Sequence, residues 1–252
     1  MKHIIVEMML LMLLLGAVVT ADEQMVPNET ITNQSEGWTM TSSAALALEK
    51  TYAYDMFCIE NTYQYLKTGN ASYRDDMMNT MYDYDGTMGS WLSTLDNSTQ
   101  TNQDATAIRK ESFNTWTELN QTLIQILSSY DVNTTIDPTL LSQFETDSWN
   151  HVKSFDKLMK YVDENSFDQN RSQIPLYLDL MKGCIAVDAY AMTKNPDEKE
   201  FYSSAMKSFD DTIEMYEVRF PETSTEYLKN LKNDLKTGVE DQFAFIDTGT
   251  TN

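Results

Sequence analysis

Residues 45–70 read ALALEKTYAYDMFCIENTYQYLKTGN. Within them Ala45, Leu48, Tyr52, Met56, Ile59, Tyr63 and Leu66 recur at steps of three or four, the spacing that lines up side chains on one face of an α-helix. Gly69 follows at once, where a left-handed residue ends a helix without a Cβ penalty. A second stripe, Tyr73, Met77, Met81, Tyr84, Met88, Trp91 and Leu95, starts after Ser72 as a possible cap. The stretch therefore reads as a helical hairpin, and the rest of the chain repeats the pattern.

Trp116, Leu119, Leu123, Ile126 and Tyr130 form a third stripe, and Leu141, Phe144, Phe155, Leu158 and Val162 a sparser fourth. Further on come Tyr177, Met181, Cys184, Asp188 and Met192, then Phe201, Ala205, Phe209, Ile213, Tyr216 and Phe220, then Leu228, Leu231, Leu235, Val239, Phe243 and Ile246. Asp137-Pro138 and Asn195-Pro196 each pair a capping side chain with proline at the first helical position. No alternating strand pattern competes, so the expectation is an all-α protein of about seven helices in antiparallel bundles.

The two halves look alike. Cys58-Ile59 and Cys184-Ile185 are followed at the same distance by turns at Gly69-Asn70 and Asn195-Pro196. With two residues added in the second turn, Tyr73 aligns with Phe201, Met78 with Met206, Met81 with Phe209 and Asp83 with Asp211, which reads as a duplicated hairpin. The expected organisation is a leader over 1–21, a flexible tail over 22–38, a first helical module over 39–134, a second packed with it over 135–247, and a disordered end over 248–252.

Met1-Lys2-His3, the apolar run from Met8 to Val19 and the small-residue site Val19-Thr20-Ala21 before Asp22 have the layout of a secretory signal peptide. An anchor starting at Ile4 is the alternative reading, and no comparable run appears after residue 21. The protein is thus expected outside the cytoplasm, secreted or held at the cell surface, with no direct span after cleavage. A net charge of −21 on 252 residues opposes binding to nucleic acid or an anionic lipid surface and reads as solvated helix faces.

Chemistry is sparse. His151 is the only histidine beyond the leader, so zinc sites built on histidine pairs, di-iron bundles and Ser-His-Asp arrangements lack their parts. It reads as a polar residue at the edge of its helix's buried face. Asp75-Asp76 and Asp83-Tyr84-Asp85-Gly86 fail the spacing of a calcium loop. The expectation is no enzyme, no metal and no cofactor. Cys58 and Cys184 either pair as a disulfide, worth about 5 kcal/mol in the chain-entropy account, or remain buried thiols. Glycosylation acceptors occur at Asn28, Asn33, Asn70, Asn97, Asn133 and Asn170 in the tail or connections, and at Asn120 within a helix. Tyr54, Tyr65, Tyr82 and Tyr84 are the candidates for an aromatic cage around an organic cation.

A hairpin built as apolar stripe, Leu66-Lys67-Thr68-Gly69-Asn70, Tyr73 and a second stripe resembles the extracytoplasmic sensory domains of chemoreceptors and histidine kinases, of four-helix-bundle, CHASE3-like and helical bimodular types. The likeness runs over 45–95 and more faintly over 174–220. It implies reception of a small ligand between bundle helices. Such receptors continue through a membrane helix into a signalling domain, and neither follows before Asn252, so either the partner is a separate membrane-bound protein or the likeness is one of fold alone. The other expectation is a structural or adhesive cell-surface glycoprotein.

Overall fold

A computed structural model describes residues 42–81, 103–130, 136–165, 174–221 and 224–248. They form seven helices and no strand: α1 (Ser42–Thr68), α2 (71–81), α3 (Gln103–Ser129), α4 (Pro138–Asn165), α5 (Ile174–Thr193), α6 (Asp197–Arg219) and α7 (Glu226–Thr248). No described helix is long and apolar enough to cross a membrane. The expected leader over 1–21, the expected tail over 22–38, residues 249–252, and Tyr82, Tyr84, Asn28, Asn33, Asn97, Asn133 and Asn170 lie outside the described residues.

The chain divides into two compact units, Met25–Ser172 and Gln173–Asn252 with 1–24. This differs from the division expected after residue 134. Asp137-Pro138 does start a helix, since Asp137 accepts the Thr139 N–H at 2.8 Å. The helix it starts, α4, packs on α3 and α1. A cap marks where a helix begins and carries no information about which neighbours it will find.

In the first unit α4 runs antiparallel to both of its partners. Against α1, Tyr52 meets Phe155, Asp55 meets His151, and Tyr63 meets Phe144. Against α3, Ser112 meets Ser154 and Thr122 meets Asp147. The apolar stripe of α1 is the core here, from Leu48 to Leu66. Tyr52 stacks on Phe155 with centroids 4.5 Å apart and sends its hydroxyl to Asp156 at 2.7 Å, so a large ring is buried while its polar tip is satisfied.

In the second unit α5 packs on α6 and α7, antiparallel to the first and parallel to the second. Gly183 faces Tyr202 and Met206 of α6 and Leu235 of α7, while Tyr190 faces Phe243 further along. A Cβ at Gly183 would stand 2.7 Å from the Met206 terminal methyl, which shows how closely the helices approach.

Both hairpins close with the same turn. Thr68 Oγ1 donates to the Gln64 carbonyl, Gly69 N–H to Tyr65 O, Asn70 N–H to Thr68 Oγ1, Ser72 N–H to Asn70 Oδ1 and Tyr73 N–H to Asn70 O. The second turn repeats every bond through Thr193, Lys194, Asn195, Asp197 and Glu198. Gly69 and Lys194 share the left-handed conformation, with φ of 65° and 59°. The duplication is therefore present in a register different from that set by the cysteines: Tyr65 matches Tyr190 and Asn70 matches Asn195, with no insertion. Cys58 then falls opposite Gly183, one residue short of Cys184. Burial agrees, because Met78, expected to match Met206, is 54% exposed where Met206 is 8% exposed, whereas Met77 and its new counterpart Tyr202 are both buried. The cap of α2 is Asn70 rather than Ser72.

Candidate functional site

Asp55 occupies the core stripe of α1, among Tyr52, Met56 and Ile59, where an apolar residue would satisfy the helix pattern. Its side chain and that of His151 on α4 have no exposed surface, and their Oδ2 and Nε2 atoms are 2.7 Å apart. The other ring nitrogen of His151, Nδ1, lies 3.2 Å from Thr115 Oγ1 on α3. Thr115 Oγ1 is 2.7 Å from Ser154 Oγ, and Ser154 Oγ donates to the His151 carbonyl at 2.8 Å. Ser112 Oγ donates to the Ser154 carbonyl at 3.0 Å. A hydrogen-bonded chain thus crosses the bundle from α1 through α4 to α3.

Apolar groups enclose it. The Trp116 and Phe155 rings stand 5.5 and 5.6 Å from the imidazole. Burial, and then the neighbouring Asp55 carboxylate, push the Cys58 thiol well above its usual range, so it is a neutral side chain rather than a nucleophile. Facing a carboxylate, Nε2 is the donor. Nδ1 faces the Thr115 hydroxyl, which also lies 3.0 Å from Ser112 O and 2.7 Å from Ser154 Oγ, so the ring is tied to α3 by a directional bond.

His151 is therefore at the centre of the core rather than at the edge of a buried face, as its sequence position suggested. The signal was a carboxylate in an apolar stripe: a buried acid needs a partner, and the sequence beyond residue 21 holds a single histidine.

Of the expected cage residues, Tyr54 is half-buried and Tyr65 is buried on α1. Three helical turns, about 16 Å, separate them, so the two cannot close on one cation. Tyr65 instead stands edge-on to Tyr130 with centroids 5.0 Å apart, and the Tyr130 hydroxyl donates to Leu66 O. Cys58 and Cys184 are buried, free cysteines, one in each unit. Asn70 is exposed at the α1–α2 turn, whereas Asn120 is half-buried on α3. Among the described residues, no group of three or more His, Cys, Asp or Glu side chains is placed to hold a metal ion.

The second unit carries a different cluster, where the end of α7 meets the α5–α6 turn. Lys199 Nζ lies 4.6 Å from the Tyr190 ring centroid, 5.3 Å from that of Phe243 and 2.6 Å from Asp247 Oδ2. The Tyr190 hydroxyl donates to the same carboxylate, and Lys194 Nζ donates to Ile246 O at 2.8 Å. Hydrogen bonds from Lys199 and Tyr190 hold the Asp247 carboxyl below its ordinary range, and the bond to Asp247 raises Lys199.

Comparison with protein-family models, with characterised proteins and with solved structures gives no match.

Proposed function

We propose that this protein is an extracytoplasmic, non-enzymatic helical-bundle module that receives a ligand and reports it through the packing of its helices. The observation that carries the reading is the Asp55–His151–Thr115–Ser154 chain. Burying two ionisable groups costs several kcal/mol per ion before their attraction is counted, and a hydrocarbon layer often packs as well or better. A core of this kind ties the register of three helices to a few directional hydrogen bonds in place of interchangeable apolar contacts, which suits a bundle whose arrangement must respond. The leader-like residues 1–21 support a place outside the cytoplasm, and a membrane-bound partner would receive the signal.

The test is thermal unfolding of the purified protein against amino acids, organic acids, methylated amines and divalent cations. A ligand at 100 times its Kd adds about 2.7 kcal/mol, a rise of roughly 5–10 °C for a chain of this size. A selective, saturable rise is the expected result, and a flat panel would remove the reading.

One observation favours a second reading, a cell-surface glycoprotein with a role in assembly. Asn70 is exposed, and its Oδ1 is engaged by Ser72 N–H while the amide nitrogen, the atom a glycan takes, points to no partner in the turn. A mass increase removed by amidase treatment and by Asn70→Gln, in protein from a glycosylating host, would support it.

A further inference from the structure

The cation cage expected near the start of the chain has its chemical counterpart in the second unit. Three rings meet there edge to face: Tyr190 against Phe243 at 5.2 Å and Tyr202 against Phe243 at 5.7 Å. Tyr190 and Phe243 hold an ammonium group between them, and Asp247 neutralises it. Tyr190 comes from α5 and Phe243 and Asp247 from α7, so the cage is a property of the folded bundle. A ring face attracts a cation through its quadrupole and a carboxylate through charge. Neither distinguishes a lysine head from another alkylammonium of the same size.

At the counterpart position in the first unit stands Arg74, also a cation, paired there with its chain neighbour Asp75 at 2.8 Å. Lys199 reaches the cage on a long flexible stem, and its head remains partly exposed, with 37% of the side chain accessible. It is held by rings and one carboxylate rather than sealed in.

We infer that the Tyr190–Phe243–Asp247 cage is an alkylammonium-binding site whose resident occupant is the protein's own Lys199, which closes it to external amines. The inference goes beyond the ligand-binding reading, which concerns the wild-type protein, and stands on the geometry of the cage.

The experiment compares unfolding midpoints in methylammonium chloride and in sodium chloride at equal concentration, for the wild type, Lys199→Ala and Lys199→Met. With Lys199→Ala, methylammonium should give a saturable rise of about 5 °C at 100 times its Kd, with no comparable rise in sodium chloride. The wild type should show none. Lys199→Met keeps the stem and packing, so a smaller methylammonium-specific rise is expected there, and it serves as the test if Lys199→Ala does not fold. Adding Phe243→Leu should abolish the effect. Equal responses to the two salts, an equal rise in the wild type, or a rise that survives Phe243→Leu would each overturn the inference. If the wild-type panel yields a ligand that is not an amine while these titrations are flat, the ligand-binding reading stands and the ammonium cage falls.

Discussion

Replacing Asp55 by leucine should be among the most damaging single changes in the first unit. Its carboxylate and the His151 imidazole have no exposed surface, so solvent screening does not discount their interaction. Removing one partner of a buried pair typically costs about 3–5 kcal/mol, because the other is left without compensation. For a chain of this length that lowers the unfolding midpoint by roughly 6–20 °C. His151→Leu should cost a similar amount, since it takes the Nε2 donor from the buried Asp55 carboxylate and the Nδ1 partner from Thr115. The double variant should be more stable than either single one, because both desolvated groups are then gone and leucines fill the layer beside Phe155 and Trp116. Urea unfolding of the four proteins closes a double-mutant cycle, with an expected coupling of at least about 2 kcal/mol. Effects that add to within about 0.5 kcal/mol would mean that the two groups do not depend on one another, and the polar chain would lose its standing as a unit.

Gly183→Ala should be near neutral, within about 1 kcal/mol, because the Cβ meets only the movable tip of Met206 and helix propensity returns about 1 kcal/mol; Gly183→Val should cost about 1–3 kcal/mol by overpacking, and chemical denaturation distinguishes the two. Asp247 has a depressed folded-state pKa, so its contribution is present above the unfolded value of about 3.9 and is lost as pH falls through the folded one. The midpoint difference between wild type and Asp247→Asn should accordingly be steady from about pH 7 to pH 5 and vanish near pH 2; a difference that persisted in acid would exclude the ion pair as its source. Thiol titration should find Cys58 and Cys184 unreactive in the native protein and two thiols per chain in denaturant, whereas none in denaturant would establish the crosslink.

The helices were legible because their information is local. The stripes of α1, α3, α6 and α7 are periodic, and Asp137, Asn195 and Gly69 mark ends through side-chain and backbone chemistry that acts within a few residues. What was not legible depends on distant contacts. The buried face of α4 includes Glu145, Asp147, Ser148, His151 and Ser154, so its apolar stripe looks sparse and its partners are concealed. The register of the duplication was set by two cysteines, the rarest shared residue, when the bonds of the turn are made by threonine and asparagine. Thr68-Gly69-Asn70 and Thr193-Lys194-Asn195 were visible as strings, but glycine against lysine hides their equivalence, because lysine seldom adopts positive φ. Density of tyrosines in the first hairpin points to a cage of Tyr54, Tyr65, Tyr82 and Tyr84, whereas the cation-holding rings the structure shows, Tyr190 and Phe243, are distant in sequence and come from two helices.

The corrected register also says where the polar chain comes from. Tyr52, Met56 and Tyr65 have Tyr177, Met181 and Tyr190 as counterparts, all buried, so the two hairpins share a packing plan. Asp55 departs from it, since its counterpart is Leu180, also buried. A carboxylate at that position needs a donor, and His151 Nε2 lies 2.7 Å from it. In the first unit α4 supplies it, and among the described residues the second unit has no fourth helix. Leu180 is thus what the shared hairpin requires to pack, and Asp55 is what the first unit carries once α4 brings His151 into the core. The fold is accounted for by the repeat, and the chemistry by the place where the repeat is broken. A search for function should accordingly concentrate on the α1–α3–α4 layer around His151, where Asp55 replaces a buried leucine of the other hairpin in a way that packing alone does not explain.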